Sequence, residues 1–251
     1  EYMVLLSALQ ILLAAFSRQE DVIVGSPAAG RTHRDTEKMA GMFVNTLAMR
    51  GRPERGKTYS DFLGEIKTFA VSAYEHQQYP FESLVEALGL PRDPARNPLF
   101  DVMFVMQNRK SERQTLRGLT FEPIQVRTQS SKFDLTLSVG EEADGYAVDW
   151  EYGTDLFAEA TVSAFSAAFE RILRSITADA SIRLGEIALV GPDEQGLIVQ
   201  IFNDTRRPYA RDSSLQTLFA AQALRTPHAQ AVLSRRDALT YAELDAVRTR
   251  C

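Results

Sequence analysis

Three short segments put polar side chains inside otherwise apolar stretches, and chemistry is to be sought there first. In Gly41-Met42-Phe43-Val44-Asn45-Thr46-Leu47, Asn45 and Thr46 interrupt a strand-like run. A buried amide must be hydrogen-bonded, so Asn45 needs either a structural partner or a ligand. His76-Gln77-Gln78-Tyr79-Pro80-Phe81-Glu82 joins two helical patterns through polar residues and a rigid proline. Arg92-Asp93-Pro94-Ala95-Arg96-Asn97-Pro98-Leu99-Phe100 leads a charged loop into an apolar run. Taken singly, each also suits a purely architectural loop-to-strand entry.

Other patterns give less. Gly25-Ser26-Pro27-Ala28-Ala29-Gly30-Arg31-Thr32 has the spacing of a phosphate-binding loop. Arg31 stands where lysine is required, and Pro27 removes an N–H donor, so a plain strand-to-loop turn is the expectation. His33-Arg34-Asp35 looks like a kinase triplet but lacks the asparagine five residues on and any metal-binding Asp-Phe-Gly. The three histidines, His33, His76 and His228, share no metal-ligand spacing, so no metal site is expected.

The elements that must position these residues follow from periodicity. Residues 2–17 are apolar nearly all round, which predicts a buried helix. Residues 21–25 and 42–49 read as strands, the first ending at Gly25. Residues 59–75 carry a helical stripe (Phe62, Leu63, Ile66, Phe69) behind a Thr58/Asp61 cap, and Phe62, Phe69 and Phe165 are expected to be buried. Pro80 opens a second helix with Phe81, Leu84, Val85 and Leu88 on one face, stopped by Gly89 and Pro91. Residues 99–106 are a β-type run. Residues 133–139 and 146–152 alternate as a hairpin, and residues 158–177 return to helical spacing. From about residue 185 glycines, a proline and polar residues mark a connector. Helices are then expected to begin at Leu215 and Leu239.

Composition sets the outer bounds. The chain has 251 residues, 45% hydrophobic and 24% charged, enough to bury a sizeable core. A net charge of −5 gives no electrostatic footprint for nucleic acid or an anionic membrane. The single cysteine, Cys251, excludes an intramolecular disulfide, and no run reaches the ~18 apolar residues of a membrane helix. A cytoplasmic setting is expected. The chain opens inside a helical pattern and closes without a turn or tail, so both ends read as cuts in a longer protein.

In their order, these segments resemble the condensation domains of non-ribosomal peptide synthetases. The resemblance is carried by residues 24–31, 41–47, 76–82 and 92–100, with Ser131-Lys132-Phe133-Asp134-Leu135 and residues 152–157. It covers residues 1–185. Residues 202–205, 215–219, 226–229 and 239–244 resemble the entry into an adenylation domain. The resemblance implies an α/β fold, a chloramphenicol acetyltransferase-like lobe with a mixed central sheet and flanking helices on one face. The implied division is a carboxyl-side condensation lobe (1–185), a linker (186–212) and an incomplete adenylation domain (213–251).

The implied activity is amide-bond formation between aminoacyl or peptidyl thioesters on two carrier proteins. The cofactor is the phosphopantetheine arm of those carriers, with none bound directly. Implied partners are donor and acceptor peptidyl carrier proteins, the amino-side lobe and the downstream adenylation domain. The family's His-His-x-x-x-Asp-Gly motif is absent: the residues four after the three histidines are Glu37, Pro80 and Val232. No catalytic residue is therefore assigned, and the fragment alone is expected to be inactive. Ser26, Arg31, Asn45 and Thr46 are the implied substrate-tunnel residues. Tyr79, Pro80, Phe81, Glu82, Arg96 and Asn97 are the implied structural ones. Two rival readings are a coenzyme A-dependent acyltransferase of the same fold and a non-catalytic module that recruits a partner.

Overall fold

A computed structural model describes residues 1–90, 93, 96–107, 114–116, 119–121, 130–142, 144–209, 211–234 and 237–248. Outside these lie Pro91, Arg92, Pro94 and Ala95 of the expected helix stop and charged loop, and Thr249 to Cys251 of the tail. The described residues fall into two compact units, 1–192 and 193–251.

The first unit opens with α1 (Tyr2–Ser17), β1 (Val22–Ala28) and β2 (Asn45–Gly51), then α2 (Tyr59–Glu75) and α3 (Phe81–Ala87). β3 (Val102–Gln107) follows, then a short antiparallel pair, β4 (Gln114–Leu116) and β5 (Leu119–Phe121). β6 (Leu135–Glu142), β7 (Gly145–Tyr152) and α4 (Glu159–Ala178) complete the lobe. The main sheet has five strands in the order β2-β1-β3-β6-β7. β1/β3 and β3/β6 are parallel, and the two edge pairs are antiparallel, so the sheet is mixed as expected. The β6–β7 hairpin pairs Leu135 with Tyr152 and Leu137 with Trp150.

One face of this sheet is closed by α1, α2 and α4. Leu6, Leu9 and Leu12 of α1 meet Val24, Met49, Phe104 and Leu137 from the strands and Phe62 and Ile172 from the other helices, all essentially inaccessible to water. α2 starts where it does because Thr58 accepts from the Asp61 N–H (3.2 Å) and donates to the Asp61 carboxylate (2.6 Å). The end of the unit returns to this point. Tyr59 N–H donates to the Ile182 carbonyl and Leu184 N–H to that of Lys57, and Leu184 and Ile187 join the core.

Several boundaries differ from the periodicity reading. β1 runs three residues past Gly25, because Ser26 and Ala28 continue the buried alternation and pair with Leu47 and Asn45. β2 begins only at Asn45, where that pairing starts, so Met42, Phe43 and Val44 precede the strand. Phe69 is 39% exposed, since the buried stripe of α2 narrows to Phe62, Ile66 and Ala70 and leaves Phe69 on its edge. Phe16 also emerges, on the last turn of α1, and rests edge-on against Phe165 at 4.7 Å. α3 is a short surface helix with no fully buried residue, and Leu88 lies beyond it, exposed.

On the opposite face of the sheet Gly25 makes a close approach. A Cβ there would lie 2.1 Å from the Phe100 ring, so only glycine lets that ring down onto the strand. Phe100 in turn stacks with Phe81 at 5.5 Å and Phe133 at 5.8 Å.

The second unit contains α5 (Pro192–Gly196, whose first residue still belongs to the first unit), a π-helical turn over Leu197–Ile201, and α6 (Leu215–Arg225). β8 (Gln230–Leu233) and β9 (Ala238–Thr240) form an antiparallel pair, followed by α7 (Tyr241–Arg248). The helix expected from Leu239 therefore starts two residues later, after a short strand. Among the described residues of this unit only Ala223 is fully buried, and Leu215 and Leu224 are more than four-fifths exposed.

Two measurements check this distribution of burial. Phe62→Ala is expected to cost about 3–5 kcal/mol in denaturant melts, and Phe69→Ala a small fraction of that. Limited proteolysis is expected to cut within residues 193–251 well before residues 1–192, because few apolar groups there offset the cost of ordering.

Candidate functional site

Two of the three polar segments singled out in the sequence, residues 41–47 and 76–82, meet where β1 ends and β2 begins. Two loops meet there, residues 29–44 between the strands and residues 76–80 between α2 and α3. Asn45 is the first residue of β2, paired with Ala28. Its amide nitrogen donates to the carbonyls of Gln77 (2.8 Å) and Tyr79 (2.7 Å), and its amide oxygen accepts from the Phe81 N–H (3.2 Å). All three bonds go to backbone, so of the two partners open to Asn45 in the sequence it has the structural one. It caps the start of α3 from across the fold, where Pro80 supplies no side-chain hydrogen bond.

Arg31 works in the same way on the other loop. Its guanidinium donates to the carbonyls of Thr36, Met39 (3.0 Å) and Gly41 (3.4 Å) and lies over the Phe43 ring, 4.4 Å from its centre. Gly30, at φ +65°, makes the turn possible: a Cβ there would sit 1.8 Å from the Phe43 carbonyl oxygen. Thr32 joins the two loops by accepting from the Gln78 side chain at 2.8 Å.

Ser26 and Thr46 lie on opposite faces of the sheet. Ser26 is 1% exposed on the helix side, where its Oγ accepts from the Tyr2 hydroxyl at 2.8 Å. Tyr2 packs on Tyr74 and Phe104, and burial raises its phenol far above the ordinary range, so it stays a neutral donor. Thr46, opposite Pro27, is half-buried on the face that carries Gly25 and Phe100.

The expected structural residues divide. Tyr79, Pro80 and Glu82 are exposed, whereas Phe81 is half-buried and touches Phe100. Arg96 forms an ion pair with Asp101, and Asn97 is half-buried beside it. Asp134 N–H donates to the Asp101 carbonyl at 3.1 Å. The Asp134 carboxyl is held above the usual carboxylate range by burial and then by the Asp101 carboxylate, partly offset by Arg96. This cluster fastens the entries of the parallel pair β3 and β6.

The sequence reading missed Gly30, Thr32, Phe43, Gln78 and Tyr2. Gly30 carried a signal, a glycine directly before a cation in the loop that follows the strand. Thr32 and Gln78 carried none, because their bond exists only once α2 has packed.

The family model described as "Condensation domain" matches residues 1–199. Tyrocidine synthase 3 of Brevibacillus parabrevis is 48% identical over 246 residues, 97% of this chain and 4% of that protein. Gramicidin S synthase 2 of Brevibacillus brevis is 44% identical over 244 residues, 97% of this chain and 6% of that protein. The chain thus spans 4% and 6% of the length of these relatives. Among solved structures, a four-domain nonribosomal peptide synthetase superposes with a TM-score of 0.83 at 22% identity, covering 100% of this chain and 20% of that one. The starter condensation domain of rhizomide synthetase gives 0.65 at 22% identity, covering 75% of this chain and 45% of that one. At such identities the superpositions speak for the fold.

The bonds of Asn45 predict a stability effect. Asn45→Ala strands two carbonyls and one N–H and is expected to cost about 1–3 kcal/mol in thermal or urea melts. Asn45→Asp is expected to be no better, since a carboxylate cannot donate to the Gln77 and Tyr79 carbonyls.

Proposed function

The chain belongs to the condensation-domain family, and from that premise we propose that it is the carboxyl-side lobe of a non-ribosomal peptide synthetase condensation domain. The parent enzyme joins aminoacyl or peptidyl thioesters held on two carrier proteins. The observation that carries this reading is the match of the family model over residues 1–199 together with 48% identity to a peptide synthetase along nearly the whole chain.

In this reading the amine of the acceptor attacks the donor thioester carbonyl, and the thiol of the donor's phosphopantetheine arm leaves. Both reactants are tethered, so most of the rate comes from holding them at high effective concentration in the right orientation. A polar group must also manage the amine proton. This chain has no His-His-x-x-x-Asp-Gly motif, so we assign that group to the amino-side lobe. The chain covers 45% of the starter condensation domain it resembles in fold, which leaves room in such a domain for a second lobe.

Ser26, Arg31, Asn45 and Thr46 are assigned to one wall of the substrate passage, with Thr46 at its surface and the other three supporting it. The phosphopantetheine arms arrive on donor and acceptor carrier proteins. Residues 213–251 are assigned to the entry of an adenylation domain, behind a linker of residues 186–212. In support, a four-domain synthetase covers the whole chain, while a condensation domain alone covers 75% of it. Among the described residues no helix is long and apolar enough to cross a membrane, and we place the work of the enzyme in the cytoplasm.

The assay is peptide formation between two loaded carrier proteins. The chain alone is expected to give no product above uncatalysed aminolysis, and joining it to a matching amino-side lobe is expected to give turnover. Product from the isolated chain would overturn the division of labour between the lobes. Failure of a properly docked pair to make any amide would overturn the function.

A further inference from the structure

A cleft of about 540 Å³ lies beside the start of β1 and the end of β2, at the other end of their ladder from Asn45. That volume falls within the roughly 300–1,000 Å³ of small-molecule sites. Its floor is apolar: Ile11, Leu184 and Ile187 are buried, and Leu189 is half-buried beside them. Its charged lining is Arg18, Arg55 and Glu20. Other cations nearby are partnered, Arg50 and Arg52 by Asp21, and Lys57 by Glu54 and Glu65. Neither Arg18 nor Arg55 has an ion pair or a side-chain hydrogen bond among the described residues. The backbone at Arg18 is an independent signal. Arg18 closes α1 at φ 57° and ψ 32°, and it is the only non-glycine at positive φ among the described residues. A side chain in that conformation costs energy that glycine at the same cap position avoids. The side chain kept there is an arginine that lines the cleft.

We propose that this cleft binds a small amphipathic monocarboxylate, its carboxylate held by Arg18 and Arg55 and its apolar body laid on Ile11, Leu184, Ile187 and Leu189. The site is assigned by its own geometry and does not rest on the function given above. Guanidinium forks match the two oxygens of a carboxylate. Two arginines against one glutamate leave one net positive charge in the lining. That balance suits a single negative charge and disfavours a phosphate dianion, which Glu20 repels more strongly. Arg55 is set from the opposite wall, where its carbonyl accepts from the Gly185 N–H at 2.9 Å. Gly185 leaves room for it: a Cβ there would lie 3.1 Å from the Arg55 Cβ and 3.3 Å from its Nε.

The test titrates heptanoate into the 251-residue chain by calorimetry, with heptanamide, pentanoate and inorganic phosphate as comparators. Heptanoate is expected to bind saturably at one site. Heptanamide has the same shape without the charge and is expected to bind about tenfold more weakly or worse. Pentanoate, two CH₂ groups shorter, is expected to bind about tenfold more weakly. Arg18→Gly removes the cation and relieves the backbone, so Tm is expected to hold or rise while heptanoate affinity falls about tenfold or more. Arg55→Gln is expected to weaken heptanoate to a similar degree with Tm unchanged. Absence of saturable heptanoate binding overturns the proposal, as does equal affinity for heptanamide. Undiminished affinity in both arginine variants overturns it too, as does a loss that tracks a lower Tm in both. Displacement of heptanoate by an equal concentration of phosphate marks a general anion site and overturns the monocarboxylate assignment.

Discussion

The three hydrogen bonds of Asn45 are the constraint on which the open end of the lobe depends. At that point the β1–β2 ladder ends and the chain leaves it in two loops, so backbone groups lose their strand partners. Such groups need replacements when water is partly excluded. Asn45 supplies both a donor and an acceptor from one rigid amide, and it does so to a segment 32 to 36 residues away in sequence. The start of α3, the seat of Phe81 against Phe100 and the placing of Gln78 beside Thr32 all follow from where that segment is held. Arg31 performs the equivalent service inside the other loop with charge-assisted bonds, which are stronger than neutral ones.

Below this end the lobe is held by ordinary burial. α1 is the central helix, touching α2, α4 and the sheet, and two of its polar side chains, Ser7 and Gln10, are buried in the core. Gln10 donates to the Met49 carbonyl at 3.0 Å, and Ser7 to the Val4 carbonyl at 2.8 Å. The division is therefore between a dispersion-packed base and a rim built from polar side chains bonded to backbone. The base gives rigidity without specificity, and the rim fixes loop geometry that no apolar packing could fix.

Much of this was legible in the sequence. Strict alternation in residues 133–139 and 146–152 announced the hairpin, and the stripes of α2 and α4 announced two helices of the covering layer. The order of motifs also named the family. What periodicity could not give was the register between strands. Gly25 looked like the end of a strand because glycine commonly marks a turn, but here it stays in the ladder to admit the ring of Phe100, 75 positions later in the chain. Asn45 looked buried in mid-strand because Met42, Phe43 and Val44 are apolar, yet those residues lie in a loop held by Arg31. Phe69 shows the limit of a helical stripe, whose edge positions are decided by the neighbouring strand and not by spacing. The role of Asn45 itself was open between ligand and structure, and only a contact across the fold could decide it.

The close approach of Phe100 to Gly25 bears on how such synthetases can be recombined. The ring contact joins residue 25 to residue 100, and within that interval Arg31 serves residues 36–41 and Asn45 serves residues 77–81. These dependencies overlap, so a crossover placed anywhere between residues 25 and 100 separates at least one side chain from the backbone or ring it was shaped to meet. The interval behaves as a single heritable block. A chimera that inherits it whole keeps both loops and the ring seat together.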